Sequence, residues 1–100
     1  MADRSRAPLE KTIVARVIDQ AKTMGWIAFK MHGNQFAVKG LPDVLVIKNG
    51  RAAWMEVKRP GNQPTRIQEH RMRDLSNAGC PVAVVYSAQD ARHFLMAIGE

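Results

Sequence analysis

Cysteine, aromatic residues and long apolar runs are all scarce in this chain, and each scarcity removes a class of explanation. Cys80 is the only cysteine among 100 residues, so no intramolecular disulfide staples the fold. No CxxC or Cys/His cluster offers zinc-ligand spacing, so a reducing, cytoplasmic compartment is expected, with Cys80 small and buried. Aromatic residues make up 6% of the chain, too few for a platform on which single strands stack. No apolar run approaches the length of a membrane span, and the polar start from Met1 to Pro8 is not followed by the apolar stretch of a signal peptide. Internal repeats and low-complexity tracts are absent as well.

What is present is a basic, otherwise ordinary globular composition. Fifteen Lys and Arg against nine Asp and Glu give a net charge of +6. That balance favours a polyanionic partner such as nucleic acid, although many other soluble proteins share it. With 46% hydrophobic and 24% charged residues, the expectation is a single domain over residues 1–100 with a modest core.

Hydrophobic periodicity sets the element order. Ile13, Val17, Ala21 and Met24 follow helical spacing from Leu9 to about Met24, and Gly25 supplies a stop. Trp26 to Lys30 reads as a strand, and the stretch from His32 to Gly40 as a turn or mobile loop able to close over a bound ligand. Val44–Ile47 and Ala52–Val57 flank Asn49-Gly50, the strongest short-range signal for a two-residue type I′ hairpin. Both faces of that hairpin carry apolar residues, which predicts cover on both sides and an α/β sandwich. Thr65 to Gln68 has the form of a capping box opening a helix that ends near Ala78. Val82–Tyr86 reads as a buried strand, and Ser87 to Asp90 caps a last helix with Ala91, Phe94, Leu95 and Ile98 on one face. The predicted order is α-β-β-β-α-β-α.

A regular hairpin pairs Lys48 with Arg51, and each outward step keeps the two residue numbers summing to 99, so Asp43 falls opposite Glu56. Like charges there are destabilising unless something compensates them, and a divalent cation would. Lys58 lies two residues beyond Glu56 and shares its face by strand alternation. Two acids and an ammonium suit Mg²⁺, which binds through one or two carboxylates and leaves other positions to water and phosphate oxygens. Phosphodiester hydrolysis uses that combination. Alone, Glu-x-Lys or Pro-Asp means little; the register that aligns them carries the argument, and one bulge would undo it.

Other residues have two readings each. Gln68 shares a face with Met72 and Leu75 and can reach the site, but as the last residue of the capping box it can equally bond back to Thr65. Glu10 sits in the first turn of helix one, where the macrodipole favours a carboxylate in any case. Lys39, Arg59, Arg66, Arg71 and Arg73 are candidate phosphate contacts for a duplex, or a solvated basic surface. His32, His70 and His93 have no spacing that suggests metal ligation and read as surface or partly packed histidines. Trp26 and Trp54 read as core or interface.

Gly40-Leu41-Pro42-Asp43, Glu56-Val57-Lys58, Thr65-x-x-Gln68 and Gly79 to Val85 together resemble the VRR-NUC branch of the PD-(D/E)XK nuclease superfamily, over nearly the whole chain. The resemblance implies a restriction-endonuclease-like mixed sheet flanked by helices. It also implies that Asp43, Glu56 and the backbone carbonyl of Val57 hold the metal, Mg²⁺ with Mn²⁺ able to substitute. Lys58 would work on the attacking water, Gln68 would support it, and Glu10 would reach the metal through water. Stand-alone members similar to this chain come from bacteria and phages, act as homodimers and cut branched DNA such as Holliday junctions. Thr65, where the family more often has Ser, is the main local departure. A non-catalytic DNA-binding or scaffolding module on the same fold is the competing expectation, against which the intact Asp43, Glu56, Lys58 set argues. Cleavage of RNA, flaps or nicks also remains open.

Overall fold

The computed structural model describes residues 8–32 and 38–99. Its elements are α1 (Glu10–Thr23), β1 (Ile27–Lys30), β2 (Val44–Lys48), β3 (Arg51–Val57), α2 (Arg66–Asn77), β4 (Val82–Val85) and α3 (Ala88–Ile98). This is the order predicted from periodicity, with boundaries moved by a residue or so. Of the expected loop between His32 and Gly40, residues 33–37 lie outside the described residues. No helix among the described residues is long and apolar enough to cross a membrane.

The four strands form one mixed sheet in the order β1-β2-β3-β4. β2 pairs antiparallel with β1 and β3, while β3 and β4 run parallel, with α2 as the crossover that parallel neighbours require. The β2–β3 turn is the type I′ expected of Asn-Gly, since Asn49 and Gly50 both have positive φ, 52° and 77°. It sets the register Lys48↔Arg51 through Val44↔Met55, so the sum of 99 holds along the ladder without a bulge.

Helix ends follow their local sequence. At the end of α1, the Trp26 N–H returns to the Ala21 carbonyl, and at the end of α2 the Cys80 N–H returns to Leu75, each at 3.0 Å, the bond that closes a Schellman motif. Trp26 is thereby part of the helix closure rather than the first residue of β1. At the start of α3 the Ser87 hydroxyl accepts from the Asp90 N–H, and the Asp90 carboxylate accepts from the Tyr86 N–H.

The two faces of the sheet differ. Val44, Val46, Ala53, Met55 and Val57 line one face, all with no solvent exposure, packed with Ile13, Val14, Val17 and Ala21 of α1 and Ala91 and Leu95 of α3. Strand alternation puts Phe29, Leu45, Trp54 and Val82 in a row across the other face. There α2 lies beside β4, and no residue of α2 is fully buried. Ile27 and Phe29 of β1 remain 58% and 47% exposed. The expected cover on both faces is thus uneven: α1 and α3 seal one side, and α2 shelters only part of the other. Cys80, expected to be buried, is only partly so, because it joins α2 to β4 on this thinly covered side.

Gly40, just before the Pro42-Asp43 pair, is where the chain comes closest to α2. Its φ is +81°, and a Cβ there would lie 2.6 Å from the backbone oxygen of Ile67 in the first turn of α2. Gly50 also has positive φ, but a Cβ there would meet nothing within 4 Å. Gly50→Ala is therefore expected to cost only the backbone penalty, about 1 kcal/mol, whereas Gly40→Ala should cost roughly 2 kcal/mol or more because a helix backbone cannot yield. Urea denaturation of both variants checks this, and equal losses would show that the approach to α2 is not tight.

Candidate active site

The end of the sheet away from the Asn-Gly turn gathers the ionisable residues. Extending the β2–β3 register by one step beyond Val44↔Met55 sets Asp43 opposite Glu56, as expected from the sequence. The pairing is anchored by a direct bond, since the Val57 N–H donates to Asp43 Oδ2 at 2.6 Å. In an extended strand the N–H and C=O of one residue point to the same side, so the Val57 carbonyl is directed toward this edge as well. The Met31 N–H donates to the Asp43 backbone carbonyl at 2.8 Å, which ties the end of β1 to the same point.

Glu56 is fully buried, and neither of its carboxylate oxygens has a hydrogen-bond partner. Lys58 Nζ lies 3.5 Å from Glu56 Oε2, with its side chain 11% exposed. That contact is an ion pair, too long for a well-formed hydrogen bond. Burial, reinforced by the charge of Asp43, pushes the Glu56 carboxyl up to about 8, Lys58 pulls it back in part, and Glu10 adds a smaller push upward. A buried carboxylate with open lone pairs beside a second acid is a donor set that a divalent cation would satisfy. The residues present therefore fit a divalent metal ion.

The structure brings in one residue that spacing does not reveal. His32, read from sequence as a surface or partly packed histidine without metal-ligand spacing, places Nε2 3.0 Å from Asp43 Oδ1 with its side chain 39% exposed. Among the described residues, His32, Asp43 and Glu56 form the one group of metal-ligating side chains, with one candidate atom from each within 4.8 Å of the others. Its three members come from three separate segments, so only the β1–β2 pairing, with its long connection, could have exposed it.

The remaining candidates are placed as follows. Glu10 stands in the first turn of α1 and is felt by Glu56 through its charge, but it is outside the tight group. Gln68 completes the capping box: its Oε1 accepts from the Thr65 N–H at 2.8 Å, and the Thr65 hydroxyl accepts from the Gln68 N–H at 3.3 Å. Lys39, Arg66 and Arg73 are exposed, and Arg59 and Arg71 are half-buried. Arg71 donates to the Lys39 carbonyl at 3.3 Å and pairs with Asp74 at 3.2 Å, which fastens the segment before Gly40 to α2. His70 also approaches Asp74, at 3.7 Å.

The raised Glu56 carboxyl has a consequence for stability. A carboxyl whose folded value lies above its unfolded one stabilises fully below the unfolded value, and that contribution is lost as pH rises through the folded value. In chelator-treated protein the wild type should therefore weaken between about pH 4.5 and about pH 8. Glu56→Gln, which cannot ionise, should be the more stable protein above pH 8, by about 2 kcal/mol or more, with the difference gone by about pH 5. Thermal unfolding across that range measures it, and a pH-independent difference would mean that Glu56 is charged throughout.

Comparison with known proteins bears on the fold and the family of the chain. No family model matches the chain. A solved structure described as a VRR_NUC domain superposes with a TM-score of 0.73 over 91% of this chain and 97% of its own, at 22% identity, which establishes the fold. The protein described as "Putative nuclease p44" from Acyrthosiphon pisum secondary endosymbiont phage 1 is 31% identical over 90 residues, 89% of this chain and 94% of the phage protein. With Pro42-Asp43 and Glu56-Val57-Lys58 at one end of a mixed sheet that has the VRR_NUC fold, the chain belongs to the nuclease family of that phage protein.

Proposed function

We propose that this protein is a metal-dependent DNA endonuclease that selects branched duplexes such as four-way junctions, and that it works as a homodimer. The observation that carries the reading is Glu56, fully buried with neither oxygen hydrogen-bonded, beside a second acid and paired only with the Lys58 ammonium at 3.5 Å. Asp43, Glu56 and the Val57 carbonyl would hold the ion, Mg²⁺ or Mn²⁺, with Glu10 acting through water. When bound, the ion supplies an electropositive centre that acidifies the attacking water and neutralises charge developing on the phosphate. Lys58, held by its ion pair with Glu56, presents a donor that orients that water or stabilises the phosphate oxygens. Val57 fixes the Asp43 carboxylate through its N–H. Gln68 supports Lys58 through its amide group, since its Oε1 is already engaged in the capping box.

The basic surface supports a DNA partner. The net charge of +6 and the side chains of Lys39, Arg59, Arg66 and Arg73 suit phosphate contacts that position a duplex without reading its sequence. Arg71, which also braces the segment before Gly40, would add to that charge. Little surface is left for base readout in a chain of this size, which favours recognition of DNA shape. The open sheet face with Ile27 and Phe29 exposed is apolar surface of the kind that a second copy covers, and a two-fold dimer would present two sites to a symmetric branch.

Cleavage of a labelled four-way junction and of matched linear duplex, with Mg²⁺, Mn²⁺ or EDTA, tests the reading. Wild type should cut the junction only with metal, and Lys58→Ala should lower the rate by about 10²–10³-fold. Binding without cutting under any metal would favour the non-catalytic module, and cutting of linear duplex alone would remove the branch preference. For the dimer, light scattering should show Phe29→Glu shifted to monomer while its circular dichroism stays that of wild type. An unshifted mass would place the interface elsewhere.

A further inference from the structure

The chemistry of His32 is not used by the two acids and lysine that the superfamily pattern supplies. We infer that His32 is a nitrogen ligand of the cation held by Asp43 and Glu56, so that the site takes a transition-metal ion such as Mn²⁺ in preference to Mg²⁺. This rests on the metal-dependent reading above and specifies the donor set of the same site.

Geometry carries the inference. Donors about 2.1 Å from an octahedral ion lie about 3.0 Å apart when adjacent and about 4.2 Å apart when opposite. His32 Nε2 and Asp43 Oδ1 are 3.0 Å apart, and the three candidate atoms all fall within 4.8 Å of one another. The His32–Asp43 spacing is that of adjacent donors around one ion, and Glu56 lies near enough to share that ion. Without the ion, the same approach is a histidine–carboxylate contact, which is how such a pair rests when nothing lies between its donors.

A purely orienting role for His32 explains less. Asp43 already has Oδ2 fixed by the Val57 N–H at 2.6 Å and its backbone carbonyl bound by the Met31 N–H, so its position does not depend on the ring. Orienting Asp43 also leaves the two Glu56 oxygens without a hydrogen bond, whereas an ion shared by all three residues would give them a ligand contact. The ring is partly exposed, so it can turn by a few tenths of an ångström to direct its lone pair at an ion. In its contact with Asp43 the ring donates through Nε2–H; binding an ion would use the neutral tautomer with the hydrogen on Nδ1, which frees the Nε2 lone pair.

Selectivity follows from the nitrogen. Mg²⁺ is a hard ion that prefers an all-oxygen shell and gives up water reluctantly. Imidazole suits the first-row transition ions, and carboxylates accept Mn²⁺ as readily as Mg²⁺. Two carboxylates alone would discriminate little between them. Adding His32 tilts the site toward Mn²⁺ and the ions after it in the series.

Pulsed electron paramagnetic resonance of the Mn²⁺-loaded full chain tests this directly, together with Mn²⁺ and Mg²⁺ titrations by calorimetry. Wild type should show nitrogen coupling from one imidazole, and His32→Ala should abolish it. The same variant should lose about tenfold or more in Mn²⁺ affinity while Mg²⁺ affinity changes much less, so that the preference between the ions shrinks. Asp43→Asn should weaken both ions, and circular dichroism in EDTA confirms that each variant is folded. Mn²⁺ bound without nitrogen coupling, or an unchanged ion preference in His32→Ala, would overturn the role of His32 and leave the metal-dependent nuclease standing. Coupling that persists in His32→Ala, or binding untouched in Asp43→Asn, would place the ion at another histidine and also overturn the inference. No Mn²⁺ or Mg²⁺ binding by wild type would remove both readings together.

Discussion

Asp43 and Glu56 are two carboxylates held side by side where water barely reaches, and the structure around them is arranged so that they cannot part. In solution such a pair would separate or be screened. Here Asp43 is bonded through its side chain to Val57 and through its backbone to Met31, and Glu56 lies on a strand paired on both sides. Separation would require breaking a sheet. Burial first, and the repulsion from Asp43 second, therefore raise the Glu56 carboxyl, and Lys58 offsets them only in part.

The hairpin register is what fixes that pair, and the core fixes the register. Strand side chains alternate with a period of two, so a slip of one residue between β2 and β3 would turn Val44, Val46, Ala53, Met55 and Val57 away from α1 and α3. All five have no solvent exposure, and losing their burial would cost far more than the acid pair could gain by moving apart. The Asn-Gly turn chooses the same register locally. Local turn chemistry and global packing thus agree, and a like-charged pair can be held because neither of them yields.

The sequence made this part of the molecule readable because every step is local. Asn49-Gly50 names its own turn type, a regular ladder carries the count outward to Asp43 and Glu56, and alternation adds Lys58. Element order and caps were legible for the same reason, since periodicity and capping residues act within a few positions of one another. His32 was not legible. It reaches Asp43 through the pairing of β1 with β2, and no tight turn encodes that register. The open sheet face was missed for a related reason: apolar alternation shows that a face wants cover, but only packing shows that α2 lies beside β4 and leaves β1 bare. For Gln68 the local signal was correct as far as it went, since the capping box predicted from Thr65-x-x-Gln68 is formed.

The continuous core and the acids are divided between the two faces of the sheet, and the division explains how so short a chain tolerates a buried acid that has no hydrogen bond. One face, under α1 and α3, carries the continuous core. The other carries the acids, with Asp43 slightly exposed and Glu56 fully buried beside it. An acid kept from water and from hydrogen bonds destabilises the fold, and a cation that removed that penalty would bind the folded chain and not the unfolded one. By mass action any such ion adds to stability in proportion to the logarithm of its concentration above its dissociation constant. If the proposed ion binds there, loading and folding would be coupled through Glu56, because relieving the burial of that carboxylate would contribute to holding the ion.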